Sequence, residues 1–471
     1  MAVMSAPTSC PGQCIYCPTF ADTPQSYTPH SPAVIRGAAR QFDPYEQVKL
    51  RLHILGQTLG HPTEKVELIV MGGTFLSTSP AYQEEFVKRC LDGLNDSVAS
   101  SLIEAQHINE KSANRCVGMC FETRPDVCSA EDISRMVRFG ATRVELGVQL
   151  PCDEVYRLVK RGHTVSEVKE ATQRLKNAGL KVYYHFMPGL PSSSPERDLA
   201  LFSELFSDLD YRPDGLKIYP LMVVSGTELE KWWQEGKYHP YSNEIMMQLL
   251  CDLKAQVPPY VRISRVLRDI PPQYVVAGLK DSLRLNVRNM MAEQGKSCQC
   301  IRCREIGHRL ALGYKVGSPK MHRFDYEAAK ALEVFLTFED EQETLFGLLR
   351  LRLGHEWAPA LLDSLLPNSD SDLPSRLIQP KSAKYALVRE LHVFGRELEL
   401  GQKNHEGAQH KGYGKALLIQ AEKIAWQNGY THMAILSGIG AREYYRASGY
   451  RLLNGYMVKV LGDCDAIIPK L

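Results

Sequence analysis

"AVMSAPTSCPGQCIYCP", residues 2–18, begins with a short β-prone run and ends with three cysteines at CxxxCxxC spacing. Closely spaced thiolates are the ligands that soft metals and iron–sulfur clusters prefer. Three thiolates can hold three irons of a four-iron cluster and leave the fourth iron open to a small ligand. A structural zinc site normally has four protein ligands, and no fourth lies nearby in the sequence. The stretch therefore favours an iron–sulfur loop after a first strand, with a zinc loop as the alternative.

The first half of the chain alternates short apolar runs with amphipathic helical patterns, which is typical of βαβ units and a parallel sheet. Residues 165–179 show the helical pattern, with apolar residues at i, i+3 and i+4 spacing before Gly179. Six or more such units predict a complete or partial TIM-like barrel over residues 1–270, with its chemistry at the carboxyl ends of the strands. The predicted strands are residues 2–7, 66–73, 116–123, 142–150, 181–189, 214–221 and 261–269.

Composition excludes several classes of protein. The 471 residues, 44% hydrophobic and 23% charged, predict two or three globular domains. Thirteen cysteines, an odd number, and no signal-peptide pattern make a secreted disulfide framework unfavourable, so we expect a reducing, cytoplasmic compartment. No apolar run approaches the roughly 20 residues that a membrane span needs. A net charge of +2 means that a polyanionic partner would require locally concentrated basic residues.

The pattern changes after about residue 318, where the runs 332–338, 344–353 and 384–395 predict antiparallel strands around a loop at 367–383. The segment "QHKGYG" then places Gln409, Lys411, Gly412 and Gly414 before an amphipathic helix. Glycines at a helix start let backbone N–H groups converge on an anion, and the helix dipole adds to the attraction. This turn is a predicted pyrophosphate cradle.

The cysteine loop resembles the radical S-adenosylmethionine (SAM) superfamily, whose CxxxCxφC motif, with φ aromatic, is matched by Cys10, Cys14, Tyr16 and Cys17. The resemblance implies a 4Fe-4S cluster whose open iron binds SAM, which reduction cleaves to a deoxyadenosyl radical. "MGGTF" resembles the superfamily's glycine motif beside the SAM ammonium group. Polar residues on later strands either meet the SAM ribose and carboxylate or only close the barrel mouth. The implied SAM contacts are Gly72, Gly73, Thr74, Glu122, Glu145, Gln149 and Arg161.

The C-terminal half resembles the GNAT acetyltransferase fold, in which the glycine turn holds the phosphates of acetyl-CoA. The resemblance implies that the backbone of Glu390, Leu391, His392 and Val393 runs beside the pantetheine arm. It also places Tyr444 and Tyr445 where a tyrosine can donate a proton to the leaving thiolate. The alternative is that this aromatic pair only packs a helix on the sheet.

Radical SAM followed by GNAT in one chain resembles the catalytic subunit of Elongator in its stand-alone bacterial or archaeal form, over essentially all 471 residues. The resemblance implies carboxymethylation of the wobble uridine of tRNA at C5, with carbon from acetyl-CoA and no obligate protein partner. A protein lysine acetyltransferase that uses the barrel as a scaffold is the alternative. A tRNA-binding scaffold without catalysis does not explain why both cofactor loops are complete.

The segment between the halves, residues 271–320, contains Cys298, Cys300 and Cys303 at CxCxxC spacing. No strand pattern precedes them, which favours a structural zinc ion over a second cluster. The candidates for a fourth ligand are His308, Cys116 and Cys120. We predict the GNAT domain over residues 321–471.

Basic residues concentrate around this linker and form a predicted tRNA-binding face, with a solvated surface as the alternative. They are Lys280, Arg284, Arg288, Arg302, Arg304 and Arg309. The family resemblance also implies a basic segment ahead of the first strand, whereas this sequence begins at "MAVMSAP". We expect that such a segment has been removed and that tRNA binding is weak without it.

Overall fold

The structure, a computed structural model, describes residues 1–279, 283–354, 384–395 and 412–462. Its first sheet has seven strands in the order β1-β2-β3-β4-β5-β6-β8, and every neighbouring pair is parallel. The sheet keeps two edges, β1 and β8, so it is a half-barrel with a lateral opening. The strands are Ala2–Met4 (β1), Lys65–Met71 (β2), Arg115–Thr123 (β3), Arg143–Gln149 (β4), Lys181–Phe186 (β5), Gly215–Ile218 (β6) and Arg262–Val266 (β8), with a small Val223–Val224 (β7) and Val275–Ala277 (β9) pair beside them.

Helices connect these strands, and their ends follow from local sequence. Capping boxes start two of them: Ser129 with Asp132, and Thr164 with Glu167. The predicted helix at 165–179 is confirmed as Val165–Asn177. The α-helices of the half-barrel are Pro32–Ala38, Pro44–Leu52, Pro80–Asn95, Leu102–Asn109, Ala130–Phe139, Asp153–Leu158, Val165–Asn177, Pro195–Ser207, Glu228–Gln234 and Asn243–Ala255, and those of the linker are Leu283–Glu293, Ile301–Arg304 and Ile306–Ala311.

The second sheet is mixed and has the order β10-β11-β12-β13-β14-β16-β15. Its strands are Lys320–Ala328 (β10), Ala331–Glu339 (β11), Leu345–Leu353 (β12), Tyr385–Val393 (β13), His432–Ile435 (β14), Arg451–Leu453 (β15) and Tyr456–Val460 (β16), with the helices Tyr413–Gln427 and Arg442–Arg446. The three strands predicted from the sequence are confirmed. Strand β10 was missed because most of its side chains are exposed and its two-residue turn uses Ala329 and Lys330, both at positive φ, without glycine.

The two sheets meet at the amino-terminal ends of the barrel strands. There the short turn Ile439–Ala441 packs on β3 so closely that a Cβ on Gly438 would lie 2.1 Å from the Val117 carbonyl. A buried network of ion pairs, which we call the interdomain seam, joins the sheets beside this contact. The seam consists of Lys176, Asp214, Glu333, Arg350, Arg352, Arg389 and Glu390.

None of the helices among the described residues combines the length and the apolar character that crossing a membrane requires.

Candidate active site and cofactor sites

The three cysteines of the first loop line a cavity of about 520 Å³ at the carboxyl ends of the barrel strands. We call it the cysteine cavity. The loop is fixed by backbone hydrogen bonds from Cys17 to Cys14 and from Ile15 to Val159. The sulfurs of Cys10, Cys14 and Cys17 do not all lie within 4.8 Å of one another, unlike those of the linker cysteines. Because each thiolate of a cubane binds a different iron, such sulfurs stand further apart than ligands of one ion.

A hydrogen-bonding group lies near each of the three sulfurs. The Thr74 hydroxyl is 3.2 Å from Cys10 Sγ, and Arg161 Nη1 donates to Cys14 Sγ at 3.4 Å. Gln25 Nε2 donates to Cys17 Sγ at 3.6 Å. Outer-shell donors of this kind orient metal-bound thiolates and tune the metal that they hold. Burial raises the pKa of Cys17 to about 11, so its proton leaves readily only when a cation takes its place. The donor set therefore fits an iron–sulfur cluster.

The glycine motif packs directly against this loop. Gly72 and Gly73 both have positive φ, and a Cβ on Gly72 would lie 2.0 Å from Ser5 Oγ. Only glycine fits at that position. Thr74 is buried, and its hydroxyl contacts Cys10, so the motif both bends the chain after β2 and supports the cysteine loop.

Charged side chains on the inner face of the barrel form one connected group. Lys217 Nζ donates to Glu122 Oε1 at 2.9 Å and also contacts Glu145, while Tyr27 donates to the other oxygen of Glu122. His185 lies 3.0 Å from Glu145. Burial alone would raise the pKa of Glu145, but Lys217 and His185 hold it well below its usual range. Glu122 lines the cavity, whereas Glu145 is 1% exposed and contacts Lys217 and His185, so its contact with a cofactor stays a prediction.

Gln149 and Arg161 also line the cavity, as the sequence predicted. Gln149 has φ +67°, an uncommon conformation for this residue, and its buried Oε1 has no hydrogen-bond partner in the structure. Arg161 donates to the Gly147 carbonyl, and its buried Nε likewise has no partner within the described ranges of the chain. Unsatisfied buried polar atoms facing a cavity are expected where a ligand completes the hydrogen bonding.

Sequence reasoning missed several residues of this site. Lys217, Tyr27, His185 and Arg124 all line the cavity. The Arg124 side chain packs against Gly12, where an added Cβ would lie only 2.1 Å from Arg124 Nη1. Lys217 comes two residues after Gly215 on β6, and His185 comes two residues after Tyr183 on β5, so each lies on the same face of its strand as the earlier residue. This two-residue alternation is the sequence signal that could have identified Lys217 and His185 as inward-facing.

The predicted phosphate turn lies beside the end of β13. Gly412 is the N-cap of the helix Tyr413–Gln427, with φ +81°. Parallel pairing of β13 with β14 covers Tyr385 to Val388, and β13 then continues to Val393. A Cβ on Gly414 would lie 3.4 Å from Val393 and 3.0 Å from the Tyr444 hydroxyl, so the turn, the strand end and this hydroxyl converge. Gln409 and Lys411 lie outside the described residues.

The side chains at the end of β13 differ in burial. His392 is exposed, and Leu391 and Val393 are half-buried. The Glu390 side chain is held in the interdomain seam by Arg350 at 2.8 Å and Lys181 at 3.2 Å.

Tyr444 and Tyr445 differ in exposure and in the residues that they contact. Tyr444 is 43% exposed and its hydroxyl faces the turn. Tyr445 is 6% exposed and packs in the core of the second sheet, against Tyr450. The burial of Tyr445 fits the packing alternative, and its role as a proton donor stays a prediction.

The linker cysteines form a compact site. The sulfurs of Cys298, Cys300 and Cys303 all lie within 4.8 Å of one another. Hydrogen bonds from Cys298 and Cys303 hold the pKa of Cys300 well below that of an ordinary thiol. Among the described residues, no histidine, carboxylate or further cysteine joins this group. Cys116 and Cys120 lie on β3, and neither they nor His308 join this group in the structure, so the choice of a fourth ligand stays open.

The residues of the predicted basic face differ in exposure. Arg304 is 2% exposed and binds Glu339 at 2.8 Å and the Pro259 carbonyl at 2.9 Å, so it cannot meet an outside partner, and this prediction is wrong. Arg288 is exposed, and Arg302 and Arg309 are half-buried. Lys280 and the side chain of Arg284 lie outside the described part of the chain.

Comparison with protein families and known proteins adds independent findings. A model of the Radical SAM superfamily matches residues 4–202, and a model of the Radical_SAM C-terminal domain matches residues 213–294. The tRNA uridine(34) acetyltransferase of Dehalococcoides mccartyi is 56% identical over 462 residues, which are 98% of this chain and 97% of that protein. Elongator complex protein 3 of Homo sapiens is 38% identical over 98% of this chain and 84% of its own.

A solved structure agrees with the fold. The archaeal Methanocaldococcus infernus Elp3 with an N-terminal deletion superimposes with a TM-score of 0.81 at 43% identity, over 90% of this chain and 97% of that one. Both the half-barrel and the mixed sheet are therefore shared with a relative of known structure.

Proposed function

The chain belongs to the family of the tRNA uridine(34) acetyltransferases and Elongator complex protein 3, and from this membership we propose that it is an enzyme that modifies the wobble uridine of tRNA. The modification is carboxymethylation at C5, with acetyl-CoA as the carbon source. The observation that carries the proposal is the coexistence of a donor-supported cysteine cavity and a glycine turn beside an open strand end in one chain. Domain limits of 1–270, 271–320 and 321–471 are part of the proposal.

The cysteine cavity has the residues for radical chemistry. Cys10, Cys14 and Cys17 would hold the 4Fe-4S cluster, and Gly73, Thr74, Gln149 and Arg161, which also line the cavity, would contact SAM together with the adjacent Gly72. Cluster and SAM together supply one-electron cleavage to a hydrogen-abstracting radical. The protein residues exclude bulk water, orient the thiolates, and present Lys217 and Glu122 to the substrate as a hydrogen-bonded acid–base pair.

The second site has the residues for thioester chemistry. Backbone N–H groups at the start of the helix Tyr413–Gln427 would bind pyrophosphate, and the extension of β13 to Val393 offers backbone groups to the pantetheine arm. Tyr444 would donate a proton to the CoA thiolate as it leaves, a role that the position of its hydroxyl beside the glycine turn supports. A zinc ion on Cys298, Cys300 and Cys303 would have a structural role in the linker, which metal analysis of Cys300→Ser against the wild type tests.

The proposed function predicts that tRNA stimulates release of CoA from acetyl-CoA. The measurement is free thiol release by the anaerobically reconstituted full chain, alone, with tRNA containing uridine 34, and with a lysine-rich peptide. Gly414→Val should abolish release in every case because its branched side chain meets Tyr444 and Val393, while Tyr444→Phe should slow release and Tyr445→Phe should leave it unchanged. Stimulation by the peptide but not by tRNA would replace this proposal with a protein lysine acetyltransferase.

A further inference from the structure

The cysteine cavity is lined by an excess of positive charge. Among the residues that the structure describes, seven lysines and arginines line it, against two acidic residues, Glu122 and Asp269. Five of the seven cations have partners: Arg124 with Asp126, Arg161 with Cys14 and Gly147, Lys217 with Glu122 and Glu145, Arg265 with Asp269, and Arg268 with Ser26. Within the part of the chain that the structure describes, Arg36 and Arg51 have no ion pair or side-chain hydrogen bond.

These two arginines lie on the same side of the cavity. Arg36 is near the end of the helix Pro32–Ala38, and Arg51 is near the end of the helix Pro44–Leu52. Both helices pack on β1, which is one edge of the half-barrel. Arg265, which also lines the cavity, lies on β8, the opposite edge. Arg36 and Arg51 therefore flank the lateral opening through which a ligand can enter the cavity.

Arg36 and Arg51 are close enough to repel each other. Burial and the charge of Arg51 lower the pKa of Arg36, and the charge of Arg51 also helps to lower the pKa of the Met1 amino group. Two half-buried guanidinium groups held together without a carboxylate are unfavourable until an anion joins them. Arginine forks match the oxygens of phosphate groups.

We propose that Arg36 and Arg51 form a phosphate subsite that grips the tRNA backbone beside the target uridine as that nucleotide enters the cysteine cavity. This inference rests on the proposed function. A base that is modified must leave its stack, and its phosphate stays outside while the base enters the pocket. Arg36 and Arg51 line the same cavity as Cys10, Cys14 and Cys17, so a nucleotide whose base enters the cavity can bring its phosphate to them. The carboxylate of SAM is a less suitable anion because SAM would be held with the cluster by the residues around Cys10, Cys14 and Cys17.

The test compares charge removal at the subsite with the same change nearby. Arg36→Gln, Arg51→Gln and the double variant are prepared, with Arg40→Gln as the matched control because Arg40 is exposed, follows the same helix and does not line the cavity. Affinity for an anticodon stem-loop RNA containing uridine 34 is measured over a range of salt, and affinity for SAM is measured on the same reconstituted proteins. Denaturation midpoints check that all variants fold.

We expect the double variant to bind the RNA at least tenfold more weakly, and the salt dependence of log Kd to lose about 0.7 per phosphate contact, as for single-stranded nucleic acid. Arg36→Lys with Arg51→Lys should be intermediate because the charge remains without the fork. Unchanged RNA affinity in the double variant overturns the subsite while leaving the function intact, and a loss confined to SAM affinity overturns it in favour of the SAM carboxylate. Absence of RNA binding by the wild type would instead contradict the proposed function.

Discussion

Buried arginines occur both in the interdomain seam and at the cysteine cavity, but their hydrogen bonding differs. In the seam, the Nε, Nη1 and Nη2 atoms of Arg350, Arg352 and Arg389 all donate to protein acceptors. At the cavity, Nη1 of Arg124 and Nε of Arg161 are buried and find no partner among the described residues. The fully paired guanidinium groups of the seam hold the two sheets together, whereas the incompletely paired ones that line the cavity have donors left for a ligand.

Breaking the seam should have the largest effect. Arg389 contacts both Asp214 and Glu333, and all three are buried. Arg389→Met would leave two carboxylates undercompensated, and we expect a loss of about 3–5 kcal/mol in unfolding free energy, measured by chemical denaturation. Iron content after reconstitution should not change.

The control for this prediction is an ion pair at the surface. Lys237 lies 2.7 Å from Glu235, and both side chains are more than half exposed. Lys237→Gln should leave the denaturation midpoint unchanged because exposed pairs contribute little. If the denaturation midpoint of Arg389→Met is as close to the wild-type midpoint as that of Lys237→Gln, the seam is not what joins the domains.

At the cavity we expect a substitution to change stability little and ligand affinity strongly. Arg161→Met removes an unpaired buried Nε along with the contacts to Cys14 and Gly147, so we expect a stability loss of only about 1 kcal/mol. Affinity of the reconstituted protein for SAM should fall at least tenfold, as measured by anaerobic calorimetry. Arg352→Met is the matched variant, and it should lose stability but keep SAM affinity. Equal stability losses in the two variants would erase the distinction between the regions.

The same contrast explains what the sequence could predict. The cysteine loop and the glycine motif are local, so spacing alone placed Cys10, Cys14 and Cys17 correctly together on a loop after β1. The alternation of strands and helices likewise gave the half-barrel and most of the second sheet. The seam joins residues such as Asp214 and Arg389, which are 175 positions apart, so no local sequence pattern predicts their pairing. Arg304 was misplaced for the same reason: the partners that bury it, Pro259 and Glu339, lie on other segments.

The pH dependence of stability should also differ between the two regions. Burial alone would raise the pKa of Asp214, but Arg389 and Lys176 hold it well below its usual range. Its contribution to stability is therefore present above the unfolded carboxyl pKa of about 3.9 and is lost as pH falls through the lower folded value. The seam should weaken only in acid.

Asp198, near the cavity end of the barrel, has the opposite sign. Burial raises the pKa of its carboxyl group to about 6, although Ser193, the Gly189 N–H and Tyr241 donate to it. The folded state therefore holds this proton longer than the unfolded chain, and Asp198 should lower the unfolding free energy as pH rises from about 4 to about 6. Burial lowers the pKa of His163 to about 2, and that residue contributes a rise over a similar window, so the wild-type curve alone does not isolate Asp198.

The difference between the wild type and Asp198→Asn isolates it. Across urea denaturation series at stepped pH, this difference should change by about 2 kcal/mol between pH 4 and 6 and level off above about pH 7. Asp198→Asn should retain the acid loss below about pH 4, because that loss belongs to the seam. A difference that is flat across the whole range would mean that Asp198 ionises normally and that its three donors offset its burial. In that case the two ends of the barrel would respond to pH in the same direction, and the hydrogen bonding of arginines alone would distinguish them.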